Sequence, residues 1–331
     1  METVMMDGAK LQLFIEGKDM TDEVGIISAI HDTYAGDYVD TVVCSLQDKD
    51  GTWSKWRPKA GEKLEVKLKT ARTGTMWIHK VTSTNGIYTV TARAIPPYKN
   101  GVQKREWESI SFLQICQTIA SDLGLSFDNQ GASDQTYKRM YQMDESNTAF
   151  IRRLCHQEGL EMLCFDGKLV VYDEATLEHQ APALSIDFTG EGDFSFSRNE
   201  GDRVGSIRVV RIRETNDCGR LDQGDKFDLK EETLAEGSVS SGEGRTLTFS
   251  NLRPNDDGEA SRWAAGLLKH ANKYNSTGRF KRSLELGLAA GSVIQIKNDR
   301  ASEWNGPVFL YRVRHDYGAQ VSTLYFRGIG G

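Results

Sequence analysis

The sequence has no membrane-length hydrophobic run and no excess of basic charge, and we expect no leader segment. No apolar stretch approaches the length of a membrane-spanning helix. Residues 1–18 alternate like a strand and have no basic start followed by an apolar block. The net charge is −6 with 27% charged residues, which argues against binding nucleic acid by neutralising its phosphates. We therefore expect a cytoplasmic origin, no membrane insertion and no specific nucleic-acid binding.

Paired cysteine motifs are also missing. The five cysteines are an odd number and never occur as Cys-x-x-Cys, and four of them lie in apolar surroundings. This pattern predicts reduced, packed thiols rather than disulfides or zinc ligands. The cysteines are Cys44, Cys116, Cys155, Cys164 and Cys218.

The common catalytic and metal-binding motifs are absent as well. There is no Gly-x-Ser-x-Gly elbow and no His-Glu-x-x-His, and the glycine-rich residues 238–245 lack the Gly-Lys-Ser/Thr ending of a phosphate loop. Asp222, Asp225 and Asp228 have a spacing that calcium tolerates but match no EF-hand register, so a solvated loop is the favoured interpretation and ion binding stays open. We expect no catalytic, cofactor or metal site. A carboxylate pair of the glycosidase type is the enzymatic alternative.

The six histidines are scattered along the chain, and we expect each to have a structural role. They are His31, His79, His156, His179, His270 and His315.

Two segments, residues 61–95 and residues 291–329, repeat one pattern of strands and turns. Each begins with a glycine turn, continues with an alternating strand and an aromatic-rich strand, makes a tight turn and ends in a closing strand. The tight turns are Asn85-Gly86 and Tyr317-Gly318. Two unrelated meanders could look alike, so coincidence is the alternative. Duplication predicts two similar β-barrel modules at opposite ends of the chain.

A change from strand to helix periodicity predicts an α+β segment between these modules. Pro96-Pro97 ends the first sheet, because neither proline can donate to a ladder. Helical spacing then predicts helices over residues 107–123 and 147–157, closed by Gly124 and Gly159. Asp166-Gly167 between two apolar strands indicates a type I′ hairpin. A further helix is predicted over residues 259–274, after a polar stretch at 214–251 that we expect to form long loops with a few short strands.

The predicted fold is therefore mainly β with an α+β insertion, in which two similar β-barrel modules flank a small α+β domain. The predicted domains are residues 1–97, 98–181 and 182–331, the last with long loops and one helix. We expect residues 1–95 to be β throughout. A length of 331 residues is consistent with more than one domain.

The stretch from Tyr141 to Leu160 resembles the signature helix of the phage late control D family. These are baseplate hub proteins of contractile tails, related to the N-terminal hub part of type VI secretion spikes. The shared pattern is an acidic-Ser/Thr cap, a Phe-hydrophobic-x-Arg-Leu core and a Glu-Gly-Leu exit. Its residues here include Glu145, Ser146, Phe150, Arg153, Leu154 and Gly159. The sequence stops at Gly331, and the resemblance then implies that the spike is a separate polypeptide.

The resemblance implies a structural hub protein rather than an enzyme. Family members form homotrimers whose two modules per chain make a pseudo-sixfold ring between the sixfold tail tube and the threefold spike. The implied partners are two further copies of the chain, a separate spike protein, the tail tube or tube-initiator protein, the tape measure protein and other baseplate proteins, with no cofactor. The protein would be made in a bacterial host cytoplasm and assembled into the baseplate of a phage tail, a tailocin or another injection particle. A long flexible tail stays open, as does a peptidoglycan-processing or carbohydrate-binding tail protein.

The last strand is predicted to be an assembly site. Residues 324–331 form an apolar strand followed by glycines, with no covering element after it. An open strand edge can pair with a neighbouring chain. The candidate assembly residues are Leu324, Tyr325, Phe326 and Ile329. The alternative is that this strand pairs only within its own module.

Overall fold

A computed structural model describes residues 5–6, 9–188, 193–216, 229–299 and 302–329. The chain is mainly β with a smaller helical part, and two similar β modules flank an α+β insertion. The predicted fold class is confirmed. Cys44, Cys116, Cys155 and Cys164 are buried free thiols, as predicted. Cys218 and the segment from Asp222 to Asp228 lie outside the described residues.

Within the described residues, the first module consists of ten strands and one short helix, and alternate residues of its strands form the core. In β6 the buried positions Val42, Cys44 and Leu46 alternate with half-exposed ones, as the period of a strand requires. The strands are β1 (Met5–Met6), β2 (Ala9–Lys10), β3 (Gln12–Ile15), β4 (Lys18–Asp19), β5 (Ile26–Tyr34), β6 (Thr41–Gln47), β7 (Lys63–Leu68), β8 (Ala71–Arg72), β9 (Met76–Thr84) and β10 (Ile87–Arg93).

Helix α1 (Thr52–Trp56) interrupts the region predicted to be β throughout, so that prediction was wrong at this point. Asp48 stabilises the first turn of the helix, because its Oδ1 accepts a hydrogen bond from the Trp53 amide at 2.8 Å. The Trp53 side chain is buried and stacks on Tyr88, with the ring centroids 5.9 Å apart. Burial of this indole favours a helical turn over a continued strand.

The insertion contains a two-stranded ribbon, β11–β13, and a three-stranded sheet of order β12-β15-β14. Its helices α2 and α3 pack against these two sheets. The elements are β11 (Val102–Ser111), α2 (Phe112–Leu123), β12 (Ser126–Gln130), β13 (Thr136–Ser146), α3 (Asn147–Glu158), β14 (Glu161–Phe165), β15 (Lys168–Tyr172) and α4 (Glu174–Glu178).

Helix α2 begins at Phe112, later than predicted. Trp107 belongs to β11 and lies opposite Met140 of β13. Ser111 fixes the start through a capping box: its Oγ accepts from the Gln114 amide at 3.3 Å, and Gln114 Oε1 accepts from the Ser111 amide at 3.1 Å. The predicted start was wrong because a short apolar spacing fits both a strand and a helix.

The other local predictions for the insertion are confirmed. Ser146 caps α3, and Gly159 ends it in the left-handed conformation with φ 71°. Asp166 and Gly167 both have positive φ, 45° and 76°, and join β14 to β15.

The second module contains an arm formed by the sheet β19-β18-β20, against which helix α5 packs. The approach is close at Gly237 of β19, where an added Cβ would lie 2.1 Å from the Ser261 nitrogen. The elements are β16 (Leu184–Phe188), β17 (Phe194–Arg198), β18 (Val204–Asn216), β19 (Leu229–Ser240), β20 (Arg245–Phe249), α5 (Asp257–Asn272), β21 (Ser276–Ser283), β22 (Val293–Asn298), a 3₁₀ turn (Ser302–Trp304), β23 (Gly306–Asp316) and β24 (Val321–Gly328).

The prediction of loops with a few short strands over residues 214–251 was wrong for the described part of that stretch, which is mostly the long β19 and β20. These strands are rich in polar residues, because the arm buries only one of its faces, and this polar composition led to the prediction of loops. Ala235 is buried under α5, whereas its neighbours in β19 are more exposed. The predicted helix over residues 259–274 is confirmed as α5, with boundaries two residues earlier.

With the arm and the two-residue strands set aside, each module has six strands, and these follow the same spatial order. The first module reads β5-β6-β10-β9-β7-β3, and the second reads β17-β21-β24-β23-β22-β16. When the strands are numbered along each module's own sequence, both orders are 2-3-6-5-4-1. One pairing differs, since β3 is antiparallel to β7 whereas β16 is parallel to β22.

The glycine turns that open the two repeated segments make the same hydrogen bonds. Gly61 N donates to Ile78 O at 2.9 Å, and Ile78 N donates back to the residue after the glycine at 2.9 Å. Gly291 N donates to Leu310 O at 2.8 Å, and Leu310 N donates back in the same way at 2.9 Å. Gly61 and Gly291 have φ of 96° and 93°, a region that favours glycine. The two segments therefore share one local structure.

A β-bulge follows at the same place in both segments. His79 is the extra residue in β9 where it pairs with β10, and Tyr311 is the extra residue in β23 where it pairs with β24. A bulge bends the strand and increases its twist. The match extends beyond what any two antiparallel meanders must share, and it supports duplication.

The two modules are joined edge to edge. Strand β5 pairs with β23, with Arg312 opposite Tyr34 at one end and Asp316 opposite Ile30 at the other. Arg312 also donates to Asp32 Oδ1 across this seam, from Nε at 3.0 Å and from Nη2 at 2.9 Å. One continuous sheet therefore runs through both modules.

The last strand has no open edge. Strand β24 pairs with β23 on one side and with β21 on the other. Leu324 and Phe326 are buried in the core, and Tyr325 and Ile329 are half-buried. The prediction of an uncovered edge was wrong, because the covering strand precedes β24 in the chain instead of following it.

Candidate functional site

The signature residues meet around helix α3. Arg153 forms a two-point ion pair with Glu145, at 2.6 Å to Oε1 and 3.2 Å to Oε2, and it donates to the Tyr141 carbonyl at 2.8 Å. Phe150 and Leu154 are fully buried, and the Arg153 guanidinium lies 5.2 Å from the centre of the Phe150 ring. The pattern recognised in the sequence therefore holds α3 in place between the ribbon and the core.

The last residue of α3, Glu158, links the insertion to α5. Its Oε1 accepts hydrogen bonds from Trp263 Nε1 at 2.8 Å and from the Tyr137 hydroxyl at 2.9 Å. Its Oε2 accepts from Arg262 Nε at 2.7 Å. Burial and the neighbouring carboxylate raise the pKa of Tyr137, so the phenol remains a neutral donor. Glu158 is thus a buried acceptor for three side chains.

Helices α3 and α5 also meet backbone to backbone. A Cβ added to Gly266 of α5 would lie 2.3 Å from the Gln157 carbonyl oxygen and 2.5 Å from the Gly159 nitrogen. Only glycine allows this approach without displacement. We call this contact, together with the bonds to Glu158, the α3–α5 crossing.

A second buried ion pair ties the end of the insertion to the last strand. Arg327 of β24 contacts Glu174 Oε1 at 2.8 Å and Glu178 Oε1 at 2.6 Å, and its guanidinium lies 4.5 Å from the centre of the Phe309 ring. Burial disfavours the charged form, but the two carboxylates outweigh it and raise the pKa of Arg327. We call these residues the Arg327 clamp.

A third group of polar residues lies where the first module, the insertion and α5 converge. It contains Asp37 from the β5–β6 connection, His156 and Glu161 from the insertion, and His270 and Lys273 from α5 and its end. Lys273 pairs with Glu161, and both side chains are 2% exposed. The imidazoles of His156 and His270 stack with their centroids 3.5 Å apart. We call these five residues the junction cluster.

The electrostatics of the junction cluster favour charged carboxylates. Burial would raise the pKa of Asp37, but His156, Lys273 and the hydroxyl of Tyr274 outweigh it and lower that pKa to about 2. Burial also opposes ionisation of Glu161, yet the neighbouring imidazoles and Lys273 lower its pKa well below the usual range. Two buried carboxylates therefore face two imidazoles and one ammonium.

Sequence reasoning found the signature helix but not the junction cluster. Asp37, Glu161 and Lys273 were not singled out, and His156 and His270 were expected to be structural. These residues come from three distant segments, and no spacing in the sequence connects them. Chain folding alone brings them together.

No helix in the described part of the chain is both long and apolar enough to span a bilayer.

The β-rich fold with its paired modules and inserted α3 is that of a tail hub protein. Residues 91–321 match the family model of the phage tail baseplate hub (GPD). The chain belongs to that family, as the resemblance of α3 implied. A search of curated protein sequences returns no significant match.

Solved tail proteins share the fold across nearly the whole chain. The 43 kDa tail protein of prophage MuSo2 from Shewanella oneidensis is 11% identical, with a TM-score of 0.69 over 96% of this chain and 98% of its own. A tail protein from Neisseria meningitidis is 11% identical, with a TM-score of 0.70 over 97% of this chain and 96% of its own. An Escherichia coli type VI secretion component, described as similar to bacteriophage T4 tail proteins, is 12% identical, with a TM-score of 0.57 over 95% of this chain and 75% of its own.

Proposed function

We propose that three copies of this chain form a ring that adapts a sixfold tail tube to a threefold central spike. The observation that carries this proposal is the shared strand order of the two modules. A homotrimer with one module per chain would offer three repeats, whereas two equivalent modules per chain supply six. The family and the fold support a structural role, and we assign no catalytic activity to the chain.

The seam between β5 and β23 supports the same proposal. It joins the two modules of one chain through backbone pairing and the contact between Arg312 and Asp32. Two modules fixed by a continuous sheet keep a constant angle to each other, and a pseudo-sixfold ring needs that constancy. The partners would be the tube or tube-initiator protein on one face, and a separate spike protein on the other. The other proposed partners are the tape measure protein and further baseplate proteins.

We also propose that β24 contributes to assembly through its outward side chains. Of the four candidate residues, Leu324 and Phe326 are buried in the core, so the candidates left for contacts with another chain are Tyr325 in the strand and Ile329 just after it. Deleting residues 324–331 would remove core residues and a central strand. A change of Tyr325 to serine is the appropriate test, since that side chain is only half-buried.

Light scattering on the purified chain, coupled to size exclusion, tests the ring directly. The expected mass is three times that of one chain, either alone or after adding a spike protein. A monomer that stays monomeric with both spike and tube protein present would overturn the proposal. A cell-wall zymogram should show no clearing, and a zone of lysis would favour the peptidoglycan-processing alternative. The Tyr325 variant should keep the circular dichroism of the wild type while assembling less.

A further inference from the structure

Two strand edges of the large sheet have no strand partner within the described parts of the chain. Strand β17 pairs with β21 on one side only and stands at one end of the strand order. Strand β9 pairs with β10 along its length, whereas β7 and the turn before it cover only its beginning, up to Ile78. The second half of β9, residues 80–84, therefore has one open edge. An open edge presents unpaired amides and carbonyls with which another chain can pair.

These two edges are equivalent to the two that form the internal seam. Strand β5 is the second strand of the first module, and β23 is the fifth strand of the second module. Strand β17 is likewise the second strand of the second module, and β9 is the fifth strand of the first. In β23, as in β9, the fourth strand of the module covers only the first half, and the seam uses the second half. The open edges therefore repeat both sides of a pairing that the chain already makes once.

Residues that the internal seam buries are exposed at the open edge of β9. Val313 and His315, two and four residues past the bulge of β23, are 0% and 4% exposed. At the same distances past the bulge of β9, Val81 is 38% exposed and Ser83 is exposed as well. A strand paired with this half of β9 would cover the apolar Val81 side chain.

We propose that β17 of one copy of the chain pairs with residues 80–84 of β9 in the next copy, antiparallel and in the register of the internal seam. The partner is a second copy, because six strands lie between β17 and β9 in the sheet of one chain. This inference rests on the ring proposed above and names the strands through which its copies join. Internal seams and seams between copies then alternate around the ring, which is a head-to-tail arrangement that closes on itself.

The ladders of the two modules place Ser197 where the first module has Asp32. From Asp32 the paired residues run across β6 and β10 to Trp77 of β9. From Ser197 they run across β21 and β24 to Phe309 of β23. Trp77 and Phe309 both lie two residues before the bulge of their strand. Asp32 and Ser197 are therefore equivalent positions.

The internal seam then fixes the register between copies. It sets Asp32 opposite Arg314, which lies three residues past the bulge of β23. Thr82 lies three residues past the bulge of β9, so Thr82 of one copy faces Ser197 of the next. The full set of proposed pairs is Lys80 with Asn199, Val81 with Arg198, Thr82 with Ser197, Ser83 with Phe196 and Thr84 with Ser195.

Disulfide cross-linking of the full chain tests this register. Thr82→Cys combined with Ser197→Cys places two thiols directly opposite each other across the seam between copies. The Cα atoms of such a pair are about 4.5–5.5 Å apart, which a disulfide spans. Under conditions in which the chain assembles, alone or with a spike protein added, mild oxidation should convert most of it to covalent trimers on a non-reducing gel. Reduction should return single chains.

Thr82→Cys combined with Ser195→Cys is the matched control. Ser195 lies on the same face of β17 as Ser197, and all three replaced side chains are exposed, so folding should be unchanged. Across the seam Ser195 would lie diagonally from Thr82, about 7–8 Å away, and a disulfide does not bridge Cα atoms more than about 7 Å apart. The control should cross-link no more than the wild type, whose own cysteines set the background.

Light scattering on the same samples separates failure of this seam from failure of the ring. Trimers in which Thr82→Cys and Ser197→Cys do not cross-link would overturn the seam and leave the ring standing. Equal cross-linking of the control pair would overturn the register. A chain that stays monomeric with spike and tube protein present would overturn the ring and the seam together.

Discussion

Replacing Gly266 with alanine tests whether the α3–α5 crossing holds the insertion in place. In an ordinary helix this change stabilises by about 0.5–1 kcal/mol, because glycine loses more backbone entropy on folding. In α5 we expect the opposite sign. The added Cβ would lie 2.3 Å from the Gln157 oxygen and 2.5 Å from the Gly159 nitrogen. Both are backbone atoms, so no side chain can rotate away.

The size of the effect follows from the displacement that the methyl group forces. Ordinary contacts of a Cβ begin at 3.4 Å, so α5 must move about 1 Å away from α3. Overpacking of this kind costs about 1–3 kcal/mol. After subtraction of the helix-propensity gain, the net loss in the free energy of unfolding is at most about 2.5 kcal/mol and is centred near about 1 kcal/mol. The same movement lengthens the bonds from Trp263 and Arg262 to Glu158, which are 2.8 Å and 2.7 Å long.

Urea unfolding followed by circular dichroism measures the loss, and hydrogen exchange of α3 and α5 amides locates it. Gly287→Ala is the matched control, because nothing lies within 4 Å of its added Cβ. It should change stability by less than about 0.5 kcal/mol. A Gly266→Ala chain as stable as the wild type, with unchanged exchange in α3, would show that the helices do not meet as described.

Three further changes test other parts of the molecule. Arg327→Met removes the cation shared by the carboxylates of Glu174 and Glu178 and should cost about 3–5 kcal/mol in urea unfolding. Adding Glu174→Gln and Glu178→Gln should restore most of that loss, and no recovery would refute the clamp. His31 is buried beside His315, and burial lowers its pKa to about 3. Between pH 6.5 and 5 the unfolded chain binds a proton at His31 that the folded chain does not, so His31 should contribute about 2 kcal/mol to the loss of stability, and His31→Phe should remove that contribution. Phe150→Ala should cost about 3–5 kcal/mol, and an unchanged melting curve would show that Phe150 is not core.

The features that the sequence predicted correctly are those fixed by neighbours along the chain. The Asp166-Gly167 turn needs positive φ at both residues, and Gly159 ends α3 for the same kind of reason. The family pattern around Arg153 is also local, since its partner Glu145 is eight positions away. Backbone conformation and short-range capping decide each of these, and both can be read from residue types.

The features that were missed depend on contacts between distant segments. The edge of β24 is covered by β21, which precedes β24 in the chain by more than 30 residues. The junction cluster joins Asp37 to His270 across the length of the chain. No local sequence pattern predicts these strand and side-chain pairs. Strand edges and buried charges find their partners only when distant segments of the chain pack together.

The duplicated strand order explains why the junction cluster lies where it does. Asp37 is in the connection between β5 and β6, the second and third strands of the first module. His270 is in the connection between β17 and β21, which are the second and third strands of the second module. The first connection is a short loop, and the second contains the arm and α5. These two connections occupy equivalent places in the two modules, and both contact the insertion. Asp37 makes the contact from the first connection, and His270 makes it from the second. Two modules can keep the same strands, as a pseudo-sixfold ring requires, while their unequal connections give the chain one asymmetric junction.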